Sequence, residues 1–195
     1  MYRAGHVHPA AGHDGRRKTA LAADAGNADA QYKLALIYCD GVGVNKNHIE
    51  AFKYAKRSAD AGNVDAQYKL ALMYCDGVGV KKNQIEAFKY AKRSADSGNV
   101  DAYLMVSNMY FNGQGVEKDL EKAFEYSMRG AVAGHTGCMR ELAMMFEYGE
   151  GVQKDWDQAL KYLKMAADAG DDYAKQRLEI LKNDSIKQLL STIRI

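Results

Sequence analysis

The chain has 195 residues, 47% of them hydrophobic, which is enough to bury a sizeable core in one domain and too apolar for a disordered polymer. Its 27 Lys and Arg stand against 25 Asp and Glu, a formal net charge of +2, so the overall balance leaves no electrostatic footprint for nucleic acid or an acidic membrane. The cysteines Cys39, Cys75 and Cys138 are odd in number and too far apart for a secreted disulfide framework.

Residues 1–17, MYRAGHVHPAAGHDGRR, hold no apolar run that could serve as a signal-peptide core, and no later stretch approaches the roughly 20 apolar residues of a membrane span. They are expected to form a flexible tail on a cytoplasmic protein, with signal-independent export left open. His6, His8 and His13 could hold a transition metal weakly, but no second ligand cluster supports them, and a solvated tail is preferred. The one proline, Pro9, also lies here, so nothing after it is barred from a helix by proline.

From Lys18 the chain becomes periodic. KTALAADAG (18–26) reads as the end of a helix, and Gly26–Ala61 then returns as Gly62–Ser97 with five of 36 positions changed. Looser copies follow from Gly98 and Gly134, and fixed columns run through all four: Gly41, Gly77, Gly113 and Gly149; Ala51, Ala87, Ala123 and Ala159; Tyr54, Tyr90, Tyr126 and Tyr162. The spacing predicts full units over 27–62, 63–98, 99–134 and 135–170, a partial unit over 18–26, and capping helices over 171–195.

Each unit reads as helix, turn, helix. In the second, Asn63 or Asp65 caps a helix whose Ala66, Leu70, Met73 and Tyr74 share one stripe, and the helix stops before Gly77. Asn83 caps the next, with Glu86 three residues on, and Ile85, Ala87, Phe88, Ala91 and Ala95 form its apolar positions. Gly98 suits the left-handed end of that helix. One unit cannot cover its own stripes, so neighbours must stack. At the end of the chain, Ile186, Leu189, Leu190 and Ile193 mark an amphipathic cap.

A helix with AQYKLALMY, a GVGV turn and a second helix with EAFKYAKRSA resemble Sel1-like repeats, relatives of the tetratricopeptide repeat with a longer, glycine-marked turn. The resemblance runs from about Ala20 to Ala174, with Ser107 standing where a small apolar residue is usual. It implies an all-α fold, an α/α solenoid wound as a right-handed superhelix. Some cysteine-rich relatives carry paired cysteines at the columns of Ala59 and Ala66; here Cys138 stands in the second column but Ala131 in the first, so that bridge cannot form. β-Lactamase or cell-wall hydrolase activity is attributed to some relatives and is the alternative function. No Ser-x-x-Lys occurs here, and neither His48 nor His135 has a partner at fixed spacing, so no catalytic residue is assigned.

The GVGV loops invite a phosphate-binding reading, but a dinucleotide fingerprint needs a third glycine and a preceding strand. Lys46 and Lys82 stand where that glycine belongs, and a helix precedes, so a structural turn is preferred. Lys53, Lys56, Arg57, Lys89, Lys92 and Arg93 form a basic stripe, interleaved with Glu50, Asp60, Glu86 and Asp96. A solvated outer face is preferred there over an anionic partner surface.

The resemblance further implies that the first helix of every unit lines a concave groove. Its positions are Asp29, Tyr32, Leu36, Cys39 and Asp40; Asp65, Tyr68, Leu72, Cys75 and Asp76; Asp101, Leu104, Asn108, Phe111 and Asn112; and Arg140, Met144, Glu147 and Tyr148. These read either as a docking strip with a carboxylate rim or as residues partly buried between neighbouring first helices. The expected function is a non-catalytic scaffold that binds a peptide or helix of a partner protein. The chain is expected to be monomeric, with no nucleic acid partner, no cofactor and no metal.

Overall fold

The computed structural model describes residues 10–181, with side chains from Gly15 onward. His6, His8, the side chain of His13 and the expected cap residues Ile186, Leu189, Leu190 and Ile193 lie outside the described residues. Among the described residues all regular structure is helical: α1 (Ala10–Asp24), α2 (Ala28–Asp40), α3 (His48–Asp60), α4 (Val64–Asp76), α5 (Gln84–Asp96), α6 (Val100–Asn112), α7 (Leu120–Val132), α8 (Thr136–Tyr148) and α9 (Trp156–Asp168). Residues 172–181 are helical as well. The chain groups into two compact units, Met1–Asn99 and Val100–Ile195.

In the first unit α1 to α5 pack in chain order, each on the next. Helix α1 begins at Ala10, so residues 10–17 belong to a helix rather than to the flexible tail that was expected. Arg16 supplies a physical reason, since its guanidinium donates to the Gly43 carbonyl at 2.9 Å and ties this end of the chain to the first turn. The expected stripe Ala66, Leu70, Met73 and Tyr74 is buried, and Ala51, Ala55, Ala59, Ala87, Ala91 and Ala95 face it at or near zero exposure. Methyl side chains there let the backbones approach closely. Ile85 departs from the expectation at 69% exposure. It lies two residues, about 200° of helix rotation, from Ala87, and so points away from the Ala87–Ala91–Ala95 row.

The caps close as the residue types predict. The Asn63 side chain accepts from the Ala66 N–H, and that of Asn83 from the Ile85 and Glu86 N–H groups. Gly77, at φ +77, donates its N–H to the Met73 carbonyl in the left-handed conformation that favours glycine. Gly79, at φ +71, lies so close to the His48 carbonyl that a Cβ could not be fitted, while the matching Gly43 has open space around it. Val80 sits half-buried beside the turn. Tyr74 stacks on Tyr90 within its helix pair, with centroids 6.0 Å apart, and takes Phe52 of the preceding pair edge-on at 5.4 Å.

In the second unit α6 to α9 again pack in chain order. Ser107, the departure from a small apolar residue, donates to the Ala123 carbonyl at 2.8 Å and lies 2.7 Å from the Ser127 oxygen, both hydroxyls buried. Ser127 stands where the earlier units have Ala55 and Ala91, so two alanines are exchanged for two mutually satisfied hydroxyls. Gly130 replaces the earlier Ser58 and Ser94, and the Cys138 sulfur fills the space its side chain would need.

Outside the core of the first unit, Lys56 pairs with Asp60 at 2.6 Å, and Tyr90 donates to the same carboxylate at 2.9 Å. Burial alone would raise the Asp60 pKa, but these hydrogen bonds and the nearby Arg93 hold it below the ordinary carboxylate value. A carboxylate depressed in the folded state contributes stability above its unfolded pKa of about 4 and loses it as pH falls through the folded value. Thermal melts between pH 5 and pH 3 should therefore show a smaller acid loss in Asp60→Asn than in the parent chain. Gly43→Ala should cost about 1 kcal/mol, the left-handed conformational penalty. Gly79→Ala carries that penalty plus overpacking of roughly 1–3 kcal/mol against His48. Urea unfolding midpoints of the two variants measure the difference.

Candidate partner-binding face

Helix α2 has two sides. Ala30, Gln31, Leu34 and Ala35 are buried, while Asp29 and Asp40 are exposed and Tyr32, Leu36 and Cys39 are half-buried. Helix α4 repeats the pattern, with Asp65 and Asp76 exposed and Tyr68, Leu72 and Cys75 half-buried opposite Leu70. The ten expected positions of the first unit therefore lie on the solvent side of two helices. The Tyr32 hydroxyl titrates above its usual range because of burial and because Asp65 of the next repeat faces it. Lys33 and Lys69 stand four residues after Asp29 and Asp65 on the same side of the helix. A helical wheel would have included them; the column transfer did not.

The carboxylate rim has a structural duty as well. Asn63 donates from Nδ2 to Asp29 at 2.7 Å while its Oδ1 accepts the Ala66 N–H, and Asn99 donates to Asp65 at 3.1 Å. One side chain thus caps its own helix and clamps the preceding repeat. Asp40 and Asp76 lie at helix C-terminal ends, where the helix dipole disfavours a carboxylate.

In the second unit Asp101 and Asn112 are exposed on α6, with Leu104, Asn108 and Phe111 half-buried. On α8, Arg140, Met144 and Glu147 are half-buried and Tyr148 is 63% exposed. The clamp recurs here with other chemistry. His135 accepts the Cys138 N–H through Nδ1 and brings Nε2 to 3.5 Å from Asp101. Asp171 accepts the Ala174 N–H and also takes the Arg140 guanidinium at 2.9 Å. Arg177 donates to Glu147 at 2.8 Å. Glu141, which the sequence reading missed, is a half-buried carboxyl pushed up by burial, with Arg140 opposing that effect.

The other candidate chemistries lie elsewhere. The second turn glycine packs on a carbonyl oxygen at His48, and again at Leu120 beside Gly151, a poor environment for a phosphate. Lys53, Lys56, Lys89 and Lys92 pair with Glu50, Asp60, Glu86 and Asp96 on their own helices, and Arg57 and Arg93 lie over Tyr54 and Tyr90. No group of three His, Cys, Asp or Glu side chains gathers as a metal set among the described residues. The three cysteines are free thiols. Burial, with Asp76 adding to it, pushes the Cys75 thiol up, and burial pushes Cys138 up to about 12, so neither is an activated thiolate.

A family model described as the Sel1 repeat matches residues 28–63, 64–99, 100–131 and 137–171. Among solved structures, a Sel1 repeat protein from Oxalobacter formigenes is 32% identical, with a TM-score of 0.80 over 84% of this chain and 67% of that one. A protective antigen of uropathogenic Escherichia coli displaying an SLR fold is 25% identical, with a TM-score of 0.84 over 87% of this chain. This chain spans only 36% of that antigen. Cysteine rich protein B of Helicobacter pylori is 23% identical, with a TM-score of 0.54 over 67% of this chain and 96% of that one, a likeness of fold alone. No curated protein matches the sequence.

Thiol titration tests the cysteine placement. Half-buried Cys39 and Cys75 should react with a maleimide in the native protein, and Cys138 only after denaturant is added. Three native thiols reacting at one rate would contradict the burial of Cys138.

Proposed function

We propose that this chain, which belongs to the Sel1 repeat family, is a non-catalytic scaffold that takes a peptide or helix of a partner protein on the first-helix faces of its repeats. The observation that carries the reading is the half-buried row Tyr32, Leu36, Tyr68 and Leu72, which lies opposite the buried Leu34 and Leu70. Core packing accounts for the leucines inside. The side chains on the other side keep part of their surface accessible, in the pattern that helix and peptide ligands use as anchors.

Asp40 and Asp76 border that row, one per repeat, at helix ends that their charge does not stabilise. A segment with apolar anchors and basic or amide groups suits such a border. Monomeric assembly, a partner other than nucleic acid and a cytoplasmic setting belong to the same proposal.

The test is capture by the intact chain beside Tyr68→Ala/Leu72→Ala, with the captured protein identified by mass spectrometry and its affinity remeasured in purified form. Losing two anchors worth about 1–2 kcal/mol each should weaken binding more than tenfold. The far-UV circular dichroism should stay unchanged. Equal affinity for both proteins would place the binding surface somewhere other than this face.

A further inference from the structure

Resting on the reading of the first-helix faces as the binding surface, we infer that the occupant in the first unit is a helix laid across α2 and α4. Its apolar anchors stand seven residues apart, with basic side chains along one flank and acidic ones along the other.

The two first helices of this unit present the same side chains. Tyr32, Lys33, Leu36 and Asp40 on α2 return as Tyr68, Lys69, Leu72 and Asp76 on α4, and the five positions at which the two repeats differ all fall elsewhere. The helices lie with their starts together, since Asn63 at the start of α4 meets Asp29 at 2.7 Å and Asp65 acts on the Tyr32 hydroxyl. Matching side chains therefore form rows that run from one helix to the next. Lys33 and Lys69 make one edge, the tyrosines and leucines the middle, and Asp40 and Asp76 the other edge. Lysine and aspartate are separated by about 10 Å along each axis, a width that one helix fills.

The two edges differ in sign. Asp40 and Asp76 are exposed. Burial lifts the Cys75 thiol beside them, and of the two charges that act on it Asp76, which lifts it further, outweighs Lys82, which opposes. On the other edge Lys33 is exposed and Lys69 half-buried. Asp29 and Asp65 stand one turn beyond the lysines and are engaged as acceptors by Asn63 and Asn99, so the lysines are the charges nearest the apolar row. In the second unit the same columns hold Met105 and Glu141, and Asn112 and Tyr148, so neither row of like charge occurs there.

Spacing selects the form of the ligand. Neighbouring packed helices lie about 10 Å apart, so equivalent subsites recur at about that interval. Side chains on one face of an extended strand recur at about 6.6 Å and 13 Å and miss it. Positions seven apart on a helix share a face and lie about 10.5 Å apart, which matches.

Short lactam-bridged helical peptides, titrated against the full chain by fluorescence anisotropy, test the pattern. The reference peptide carries leucines seven apart, lysines on one flank and glutamates on the other. A peptide of the same composition with leucines five apart should bind at least about tenfold more weakly. One with lysines on both flanks should bind about fivefold more weakly, the size expected of two exposed ion pairs. Lys33→Glu with Lys69→Glu should invert that last order. Equal affinity for the two leucine spacings overturns the inference, and this comparison uses the unsubstituted chain, so it holds whether or not a variant folds. An unchanged order of the flank peptides in the charge variant, or no binding of the reference peptide at about 1 mM, also overturns it. Tyr68→Ala/Leu72→Ala separates the two readings. If it abolishes binding of peptides that the parent chain does not discriminate, the face stands and the pattern fails. If the peptides bind it as they bind the parent, the face itself fails.

Discussion

Gly79 brings its backbone against the carbonyl of His48, and Gly151 does the same at Leu120. That approach fixes how far one helix pair can lie from the pair before it within each unit. The rest of the packing follows from it. With the turn pressed on the start of the preceding second helix, the methyl groups of Ala51, Ala55, Ala87 and Ala91 are what the narrow space between helices can hold. Tyr74 stacks on Tyr90 within its own helix pair and meets Phe52 of the preceding pair edge-on. A bulkier turn would separate all of these contacts together.

The second recurring interaction joins repeats through their caps. At the start of α4, of α8 and of the helix over 172–181, one residue accepts a backbone N–H and also reaches back to the preceding repeat. Asn63 meets Asp29 in this way, His135 approaches Asp101, and Asp171 meets Arg140 with the charges reversed. The position constrains the job rather than the residue, so the surface charge around it is free to vary. Lys33 and Lys69 accompany Asp29 and Asp65 on α2 and α4, whereas Met105 and Glu141 hold those columns on α6 and α8. Two nearly identical repeats thus present the same side chains twice in the first unit, and the second unit carries a different set.

These constraints also separate what is available for recognition from what is committed to the fold. The outer lysines pair along their own helices, Gly79 and Gly151 rest on carbonyls, and Cys138 fills the gap left by Gly130. On the first-helix faces Tyr32, Leu36, Tyr68 and Leu72 are half-buried, while Leu104 packs against the core of the second unit.

Much of this was legible in the letters. A period of 36 residues, fixed glycine columns and capping residues at both helix starts determined the all-α class, the helix boundaries near Asn63, Gly77 and Asn83, and the buried stripe of α4, because each of these depends on local backbone chemistry. Tertiary structure decided the rest. Ile85 reads as an apolar position and is exposed, since only packing tells which side of a short helix faces the neighbour. Residues 10–17 read as a tail and are helical, with Arg16 held by a carbonyl 27 residues away. Asp29 and Asp65 read as an open rim and act as inter-repeat acceptors, and Ser107 reads as a defect until Ser127 stands beside it. Contacts between residues far apart in the chain leave no periodic trace in the sequence, and so they are settled only when the helices are packed.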